Sequence, residues 1–480
     1  MKEGMKVYDG RMPSVWHSLI TLGLLIAVMA VGIMVYQLDP HMPMFVGVVV
    51  AAIMALILGY KWSAIETMMM DGIYRALQSI IILAIIGILI GIWIDAGVVP
   101  AMIYYGLKIL SPNIFLIAVV LICSITSLAT GTSWGTMGTM GVAMLGIAAG
   151  LGVPAPVTAG AILCGAYFGD KMSPLSDTTN LAPAMAGTDV MSHVKFMLLP
   201  TAITYGICLV FFGGYGFLFH AGGSADMTEV QVISEGLASS FNLNPLLLLP
   251  PVVVIVAVAM KMPAIPGITL GAIVGGVFGL IFQGGDCTLG TLLLVGRDGF
   301  VSETGVEAID SLLTSGGLMN MMSSISLTIL AMMFGGIMEG THQLEVIVNQ
   351  LMKLAKSPAG LVTLTEATCV LSNVTMPEQY ISIVVPGRMY AEEYRKMGLH
   401  PVTLSNALEG AGTVTSALIP WNTCGVYIKD TLGLGVAQYG PWAIFNWLMP
   451  IVNIILAYLG VTVANSNKVR LIQQKKAQKA

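Results

Sequence analysis

The chain has 480 residues, of which 56% are hydrophobic and 10% charged, with 21 Lys and Arg against 25 Asp and Glu and a net charge of −4. Soluble domains carry roughly a quarter charged residues, so this composition, with a mean hydropathy of +0.86, excludes a soluble enzyme. The sequence has no basic stripe that would indicate nucleic acid as a partner. Its six cysteines form no Cys-x-x-Cys pair, so neither a disulfide framework nor a zinc site is indicated. We predict an integral protein of the lipid bilayer.

Apolar stretches of membrane length recur along the whole chain. A helix crosses the bilayer in about 20 residues, so the chain has room for roughly 12 to 14 crossings. The first stretch is too long for a signal peptide and lacks a cleavage site, so we interpret it as a retained helix. The predicted spans of the first half are 15–36, 42–60, 77–95, 113–131, 134–151, 155–172 and 196–219. Those of the second half are 245–260, 265–283, 318–338, 360–376, 378–387, 403–424 and 441–463.

The positive charges predict the orientation of these spans, since cytoplasmic loops are enriched in Lys and Arg. With a cytoplasmic N-terminus, the basic C-terminal tail is also cytoplasmic, and only Lys108, Arg297 and Lys429 fall outside. Seven crossings in each half would place the halves in opposite orientations. We therefore predict an all-α polytopic membrane protein built from inverted-topology repeats with broken transmembrane helices. The predicted parts are a cytoplasmic N-terminus (1–14), a first repeat (15–236), a second, inverted repeat (237–464) and a basic cytoplasmic tail (465–480).

Four carboxylates lie inside or beside the apolar spans: Asp170, Asp177, Glu378 and Glu409. A carboxylate near the bilayer centre costs on the order of 3 kcal/mol, so it normally faces a cavity or a partner. The same stretches contain Pro174, Pro377 and Pro420. Proline leaves a backbone carbonyl without its hydrogen bond, which lipid tolerates only where the broken helix lines an enclosed cavity. These stretches therefore predict broken helices around a cation site.

The residue types near these breaks are those that a monovalent cation such as Na⁺ prefers. It binds carboxylate, hydroxyl, amide and freed backbone oxygens, and the breaks offer Thr132, Ser133, Ser173, Asp177, Thr178, Asn180, Thr413, Thr415, Ser416, Asn422 and Thr423. Burial disfavours the charged form of a carboxylate, so one oxygen can bind either a proton or Na⁺. We expect Asp177 and Glu409 to carry the ions, with Asp170 and Lys171 tuning the field. Secondary candidates are Lys171, Asn373, Glu378 and Arg388.

Three segments carry a resemblance to a known family. They are Gly165–Asn180, with the string Gly-Asp-Lys-Met-Ser-Pro-Leu-Ser-Asp-Thr-Thr-Asn, then Gly131–Thr139, and Glu409–Gly425, which ends in Ile-Pro-Trp-Asn-Thr-Cys-Gly. Over nearly its whole length the chain resembles the NhaC-type Na⁺/H⁺ antiporter family of the ion transporter superfamily. It departs from the family pattern at Gly410, where many members have an acidic residue.

The resemblance implies a secondary antiporter of the bacterial inner membrane that works by alternating access. Na⁺ and H⁺ would be its transported ions, and no cofactor is implied. The family also includes exchangers of malate for lactate, so a Na⁺- and H⁺-coupled organic-acid exchanger is the alternative. A homodimer would follow from analogy with such transporters.

Other interpretations of single residues stay open in the sequence. Asp170 and Lys171 could form a structural ion pair, and Glu366 could be satisfied by Thr365 and Thr368. Arg388 would clamp a substrate carboxylate if it faced the cavity, but its position favours a cytoplasmic loop. An intramembrane aspartyl protease would need Asp170 and Asp177 to face each other, and seven residues with a proline between them argue against it. We expect a protein that is not an enzyme.

Overall fold

The protein folds into helices joined by short connections, as seen in a computed structural model. The structure describes residues 10–220, 227–260, 262–306, 309–310, 313–353 and 355–465. Most of the predicted N-terminal segment (residues 1–9) and of the basic tail (466–480) therefore lies outside the described residues. Pairing of β type among the described residues is limited to two isolated bridges, Phe300 with Ser315 and Leu399 with Asn465. The cysteines are buried free thiols.

The first half contains α1 to α11. Their bounds are α1 Val15–Ala30, continued by a π-helical turn Val31–Val35, α2 His41–Ile57, α3 Trp62–Arg75, α4 Leu77–Asp95, α5 Val98–Ile109, α6 Pro112–Thr130, α7 Ser133–Thr136 with a π-helical turn Met137–Gly141, α8 Val142–Gly150, α9 Ala155–Met172, α10 Asp177–Ala186 and α11 Val190–His220.

The second half follows the separate helix α12. The bounds are α12 Met227–Ser240, a 3₁₀ turn Pro245–Leu248 leading into α13 Leu249–Ala259, α14 Ala264–Phe282, α15 Leu289–Asp298, α16 Leu318–Gly340, α17 Gln343–Met352, α18 Pro358–Thr375, α19 Ile381–Lys396, α20 Pro401–Ala407 with a π-helical turn Leu408–Thr413 and a 3₁₀ turn Ser416–Leu418, α21 Thr423–Leu432, α22 Val436–Tyr439 and α23 Ile444–Tyr458.

The all-helical membrane architecture is confirmed, although many helices are shorter than a full span. In the described part of the chain, six helices are long and apolar enough to cross a membrane, or eight if two bent pairs are each one span. The predicted span 378–387 extends to Lys396, and the predicted span 403–424 is interrupted near Pro420. Polar and amphipathic helices such as α3, α10 and α21 were not predicted, because they lack a continuous apolar run.

Four interruptions of helical structure lie near the centre of the molecule, and we call them the helix breaks. The first break is 131–132, the second 173–176, the third 376–380 and the fourth 419–422. Gly131 turns the first break with φ +68°, and a Cβ there would lie 2.7 Å from the backbone of Leu175 in the second break. Only glycine combines that conformation with so close an approach. The first and second breaks therefore touch.

Contacts between side chains and backbone show the relative direction of two helix pairs around the breaks. α6 and α9 run parallel, because Gly165 packs on Val120 and Gly169 packs on Ser127. α18 and α19 are antiparallel, since Thr368 bonds Tyr390 and Thr365 bonds Tyr394. The helices on the two sides of the third break therefore form a hairpin.

Two ion pairs agree with the orientation that the charges predict. Lys429 pairs with Asp39 at 3.0 Å, and both lie on the predicted outer side. Arg75 pairs with Glu339, and both lie on the predicted inner side. Each ion pair joins two residues on the same predicted face of the protein. Which face is cytoplasmic stays a prediction.

Candidate cation-binding site

The first, second and third helix breaks open into one cavity of about 430 Å³. Six of the residues predicted from the sequence line it: Thr132, Ser133, Asp170, Asp177, Thr178 and Glu378. Met262 and Pro263, in the connection between α13 and α14, also contribute to its wall and are exposed. The cavity therefore brings together residues from both halves of the chain.

Asp170 is the fixed carboxylate of the cavity. It is 5% exposed and comes from the last turn of α9. Its Oδ2 accepts hydrogen bonds from the Ser133 hydroxyl at 2.6 Å and the Ser133 backbone N–H at 3.2 Å. Its Oδ1 accepts one from the Ser176 hydroxyl at 2.5 Å. Hydroxyls can rotate their lone pairs toward an ion, so this cluster can change from stabilising a carboxylate to ligating a cation.

Asp177 is the open carboxylate of the cavity. It is the first residue of α10 and is exposed to the cavity. Its nearest hydrogen-bond donor is the hydroxyl of Tyr380, 3.5 Å from Oδ2. Because that contact is long, Asp177 can exchange water for an ion with little loss of protein contacts.

Glu378 has a structural role as well as a place in the cavity wall. Its Oε2 accepts the backbone N–H groups of Tyr380 at 2.6 Å and Ile381 at 3.2 Å. It thereby satisfies backbone donors at the start of α19, where a negative charge is electrostatically favourable. Glu378 therefore holds the third break in shape.

Glu409 lies behind the cavity and does not line it. Its side chain is fully buried and accepts a hydrogen bond from the Thr178 hydroxyl at 3.1 Å. Thr178 is 3.0 Å from the Ser176 hydroxyl, which donates to Asp170. A chain of hydrogen bonds thus links the cavity to Glu409.

Lys171 does not pair with Asp170 in the structure. Its side chain is fully buried, and its ammonium is 3.5 Å from the sulfur of Met197. It interacts electrostatically with Glu409 and Glu366. The interpretation of Asp170 and Lys171 as a structural ion pair is therefore wrong, because these adjacent residues on α9 have different surroundings.

The predicted neutral ligands of the second half form a network beside the cavity. Asn373 donates to Thr415 at 3.1 Å and accepts from Asn422 at 3.1 Å. Ser416 donates to Gln379, a cavity residue, at 3.3 Å. The structure does not bring the following predicted residues to the cavity wall: Ser173, Asn180, Thr413, Thr415, Ser416, Asn422 and Thr423.

Ser173 and Asn180 are held by local backbone. The Ser173 hydroxyl donates to the carbonyl of Leu128 at 2.8 Å, and the Asn180 amide donates to those of Ser176 at 2.6 Å and Pro174 at 2.8 Å. Their side chains stabilise the second break.

Arg388 lies on helix α19 and not in a loop, which corrects the sequence prediction. It is exposed and does not line the cavity. In this conformation it therefore offers no clamp to a substrate carboxylate inside the cavity.

Five cavity residues with a hydroxyl or amide side chain were not among the predicted ligands: Ser79, Thr130, Ser176, Gln379 and Tyr380. Ser176 had a local signal, because a serine just before an acidic helix start is a typical N-cap, and its hydroxyl does accept the N–H of Thr179 at 3.5 Å. Ser79 is a hydroxyl at the start of an otherwise apolar span. Gln379 and Tyr380 follow Glu378 in the break and could have been inferred from that neighbour.

The all-helical membrane architecture, with helix breaks around an acidic cavity, defines a polytopic transport protein. The sequence profile of the Na⁺/H⁺ antiporter family matches residues 165–461. The chain belongs to this family of secondary active antiporters.

Three relatives are similar over most of their length. The Na⁺/H⁺ antiporter NhaC of Alkalihalophilus pseudofirmus is 36% identical over 450 residues, which are 94% of this chain and 96% of that protein. The malate-2H⁺/Na⁺-lactate antiporter of Bacillus subtilis is 37% identical over 452 residues, 94% of this chain and 96% of that protein. The arginine/ornithine antiporter ArcD of Halobacterium salinarum is 35% identical over 450 residues, 93% and 92% of the two chains.

Proposed function

We propose that the protein exports Na⁺ in exchange for H⁺ by alternating access, with the cavity between the helix breaks as its cation site. The observation that carries the proposal is the charge of the cavity wall. Three carboxylates line it, Asp170, Asp177 and Glu378, and no lysine or arginine does among the described residues. Such a wall attracts cations and repels anions.

Asp170 and Asp177 would hold the ion between them. Ser133 and Ser176 already contact Asp170, and Thr132 adds a third hydroxyl on the wall. When Na⁺ leaves, a proton can neutralise the carboxylate in its place, because a partly desolvated carboxylate is costly to leave charged and alone. Competition of Na⁺ and H⁺ for the same oxygens couples the two fluxes.

The organic-acid exchanger is the second candidate, because the cavity of about 430 Å³ is larger than a bare ion requires. An organic anion would face the same three carboxylates, and Arg388 is exposed on α19, outside the cavity wall. The negative charge of the organic anion would have to be matched by protons and Na⁺ that bind together with the anion.

We favour transport over peptide hydrolysis. Asp170 is held by Ser133 and Ser176, whereas Asp177 is open and near Tyr380. An aspartyl dyad needs two carboxylates that share a proton between them. The different surroundings of the two aspartates suit ion binding. The proposed location is the inner membrane of a bacterium, with both chain ends in the cytoplasm.

The test is Na⁺-driven proton movement in proteoliposomes, followed with a pH-sensitive dye. We expect proton movement on adding Na⁺ alone, and at least a tenfold loss of its rate in Asp177→Asn at unchanged expression. Glu393→Gln is the matched control, because Glu393 is exposed at the end of α19 and pairs with Lys396. Movement only in the presence of malate or lactate would establish the organic-acid exchanger instead, and undiminished exchange in Asp177→Asn would remove Asp177 from the site.

A further inference from the structure

Behind the cavity, five side chains from separate parts of the chain meet in a fully enclosed group. We call Lys171, Glu366, Asn406, Glu409 and Asn453 the buried cluster. Each is at most 1% exposed. They lie on α9, α18, α20, its π-helical turn and α23, in that order. Polar and ionisable groups that meet inside a membrane protein normally have a function.

Two oxygens of the buried cluster have no hydrogen-bond partner. Asn453 donates to Oε1 of Glu366, and Asn406 donates to Asn453 at 2.6 Å. Oε2 of Glu366 and Oδ1 of Asn406 are left unpaired, while Glu409 interacts with the Thr413 hydroxyl as well as with Thr178. Buried polar atoms without a partner are costly, so these atoms indicate a ligand that the cluster binds.

The charges of the buried cluster also do not balance. Lys171 supplies one positive charge and interacts electrostatically with both Glu366 and Glu409. Two carboxylates against one ammonium leave one negative charge in a place that water does not reach, and an uncompensated buried charge is strongly unfavourable. One bound proton or one monovalent cation would balance it.

We propose that Glu366 is a second proton-binding carboxylate of the transport cycle, coupled to Glu409 through the ammonium of Lys171 in the buried cluster. A proton fits better than Na⁺, because the two free oxygens of Glu366 and Asn406 are fewer than a hard cation collects. This inference rests on the proposed Na⁺/H⁺ exchange and adds one proton to it. The expected ratio is two protons for each Na⁺.

A route for the proton is present. Asp170 in the cavity accepts from Ser176, Ser176 is bonded to Thr178, and Thr178 donates to Glu409. Rotation of the two hydroxyls can pass a proton from the cavity as far as Glu409, the member of the buried cluster that Thr178 contacts. Other titratable groups interact electrostatically with the cluster. Cys369 and Tyr394 do so with Glu366, Cys369 and Asp170 with Glu409, and His193 with Lys171.

The experiment measures the ratio of protons to Na⁺ through its balance point. Proteoliposomes with a fixed Na⁺ gradient and zero membrane potential are exposed to a series of pH differences, and the pH difference that stops the flux of radioactive sodium is recorded. Glu366→Gln keeps the acceptor for Asn453 and removes the titratable group. With the ratio falling from two to one, the balancing pH difference should double, and transport should lose its dependence on voltage.

Gly410 offers a rescue of the same group. A Cβ at Gly410 would lie 3.7 Å from Oε1 of Glu366 and 3.3 Å from the amide nitrogen of Asn453. Gly410→Asp in the Glu366→Gln background should therefore return the balance point to the wild-type value. Glu393→Gln is the control and should match the wild type, and a merely structural role for Glu366 would leave the ratio unchanged.

The outcomes separate the two proposals. A wild-type protein without Na⁺-driven proton movement overturns the proposed function itself. If the wild type is active and Glu366→Gln has the same balance point, only the second proton site is overturned. Radioactive sodium bound by the buried cluster in an Asp170→Asn, Asp177→Asn variant would overturn it as well.

If Glu366→Gln fails to fold, the wild type can be treated with dicyclohexylcarbodiimide, which modifies protonated buried carboxyls. Modification of Glu366 that alkaline pH prevents supports the site, and none at any pH overturns it.

Discussion

In the proposed cation site, Asp170 and Asp177 would have different roles. Asp170 is held by three hydrogen bonds from Ser133 and Ser176, whereas Asp177 has one long contact, to Tyr380. A carboxylate that is already oriented costs little reorganisation when an ion arrives. A loosely held one can follow the ion as it enters and leaves, so the pair combines affinity with release.

A substitution of Ser176 tests the role of Asp170, the fixed carboxylate of that site. Ser176→Ala removes the donor 2.5 Å from Asp170, and hydrogen bonds to charged groups contribute about 1.5–3 kcal/mol. Since about 1.4 kcal/mol corresponds to a tenfold change in affinity, we expect the Na⁺ concentration for half-maximal proton movement to rise at least tenfold. Ser239→Ala, at an exposed position on α12, is the control. An unchanged Na⁺ requirement would exclude Ser176 from the site.

Individual ligands were harder to predict than the region that holds them. A charged residue in an apolar run is visible in the sequence, so Asp170 and Asp177 could be identified at once. Which hydroxyl faces the cavity depends on how the chain turns at a break. Ser176 faces Asp170, whereas Ser173, three residues earlier, turns to the carbonyl of Leu128.

At the scale of helices, proline and polar residues predicted the positions of the helix breaks. They did not predict the direction of the short helices that follow the breaks. The second break lies at Pro174 and the fourth at Pro420, as expected. The short helices α10 and α21 that follow them contain too few apolar residues to show a membrane pattern. Their direction is set by contacts between distant segments, which one sequence does not record.

The close packing of α6 on α9 is what brings the first and second breaks together. At Gly169, a Cβ would lie 2.5 Å from the Cβ of Ser127 and 2.6 Å from the backbone nitrogen of Leu128. Backbone cannot yield as a flexible side chain can, so the helices would have to move apart. The spacing of Asp170 from Ser133 would change with them.

Gly169→Ala should therefore destabilise the protein, by about 1–3 kcal/mol as is usual for overpacking. Thermal unfolding in detergent measures the effect. Gly206→Ala on α11 is the matched control, because no atom lies within 4 Å of a Cβ there, and it should leave the melting temperature unchanged or slightly raised. Equal melting temperatures for the two variants would contradict the proposed tight packing.

For the whole molecule, the order of elements in the first half returns in the second. The series consists of a long helix, a short helix, two sets of helices that are each divided by a break, and a final span. It occurs as α4–α11 and again as α16–α23. This order agrees with a pair of repeats, whose predicted bounds and inversion stay predictions. The cavity lies where the two sets meet, as alternating access requires.

One aromatic pair joins the two sets beside the cavity. Trp134, which lines the cavity, stacks on Tyr427 with ring centroids 4.4 Å apart and planes at 3°. The Tyr427 hydroxyl also donates to the carbonyl of Trp134 at 2.6 Å. Met262 and Pro263 lie at the exposed end of the same cavity, in a connection that the charges assign to the cytoplasm. We therefore predict that the aromatic pair closes the outer side of an inward-open conformation.

Cysteine labelling of a cavity residue tests that gate. In Leu175→Cys, a membrane-impermeant thiol reagent should react from the cytoplasmic face alone, and the native cysteines do not interfere because they are buried. Adding Tyr427→Ala removes the stack and the hydrogen bond, together about 2 kcal/mol, so labelling from outside should rise roughly tenfold or more as the outward-open population grows. Tyr427→Phe keeps the stack and should change labelling much less. If the outer face stays closed in Tyr427→Ala, or opens equally in Tyr427→Phe, the aromatic stack is not what closes it.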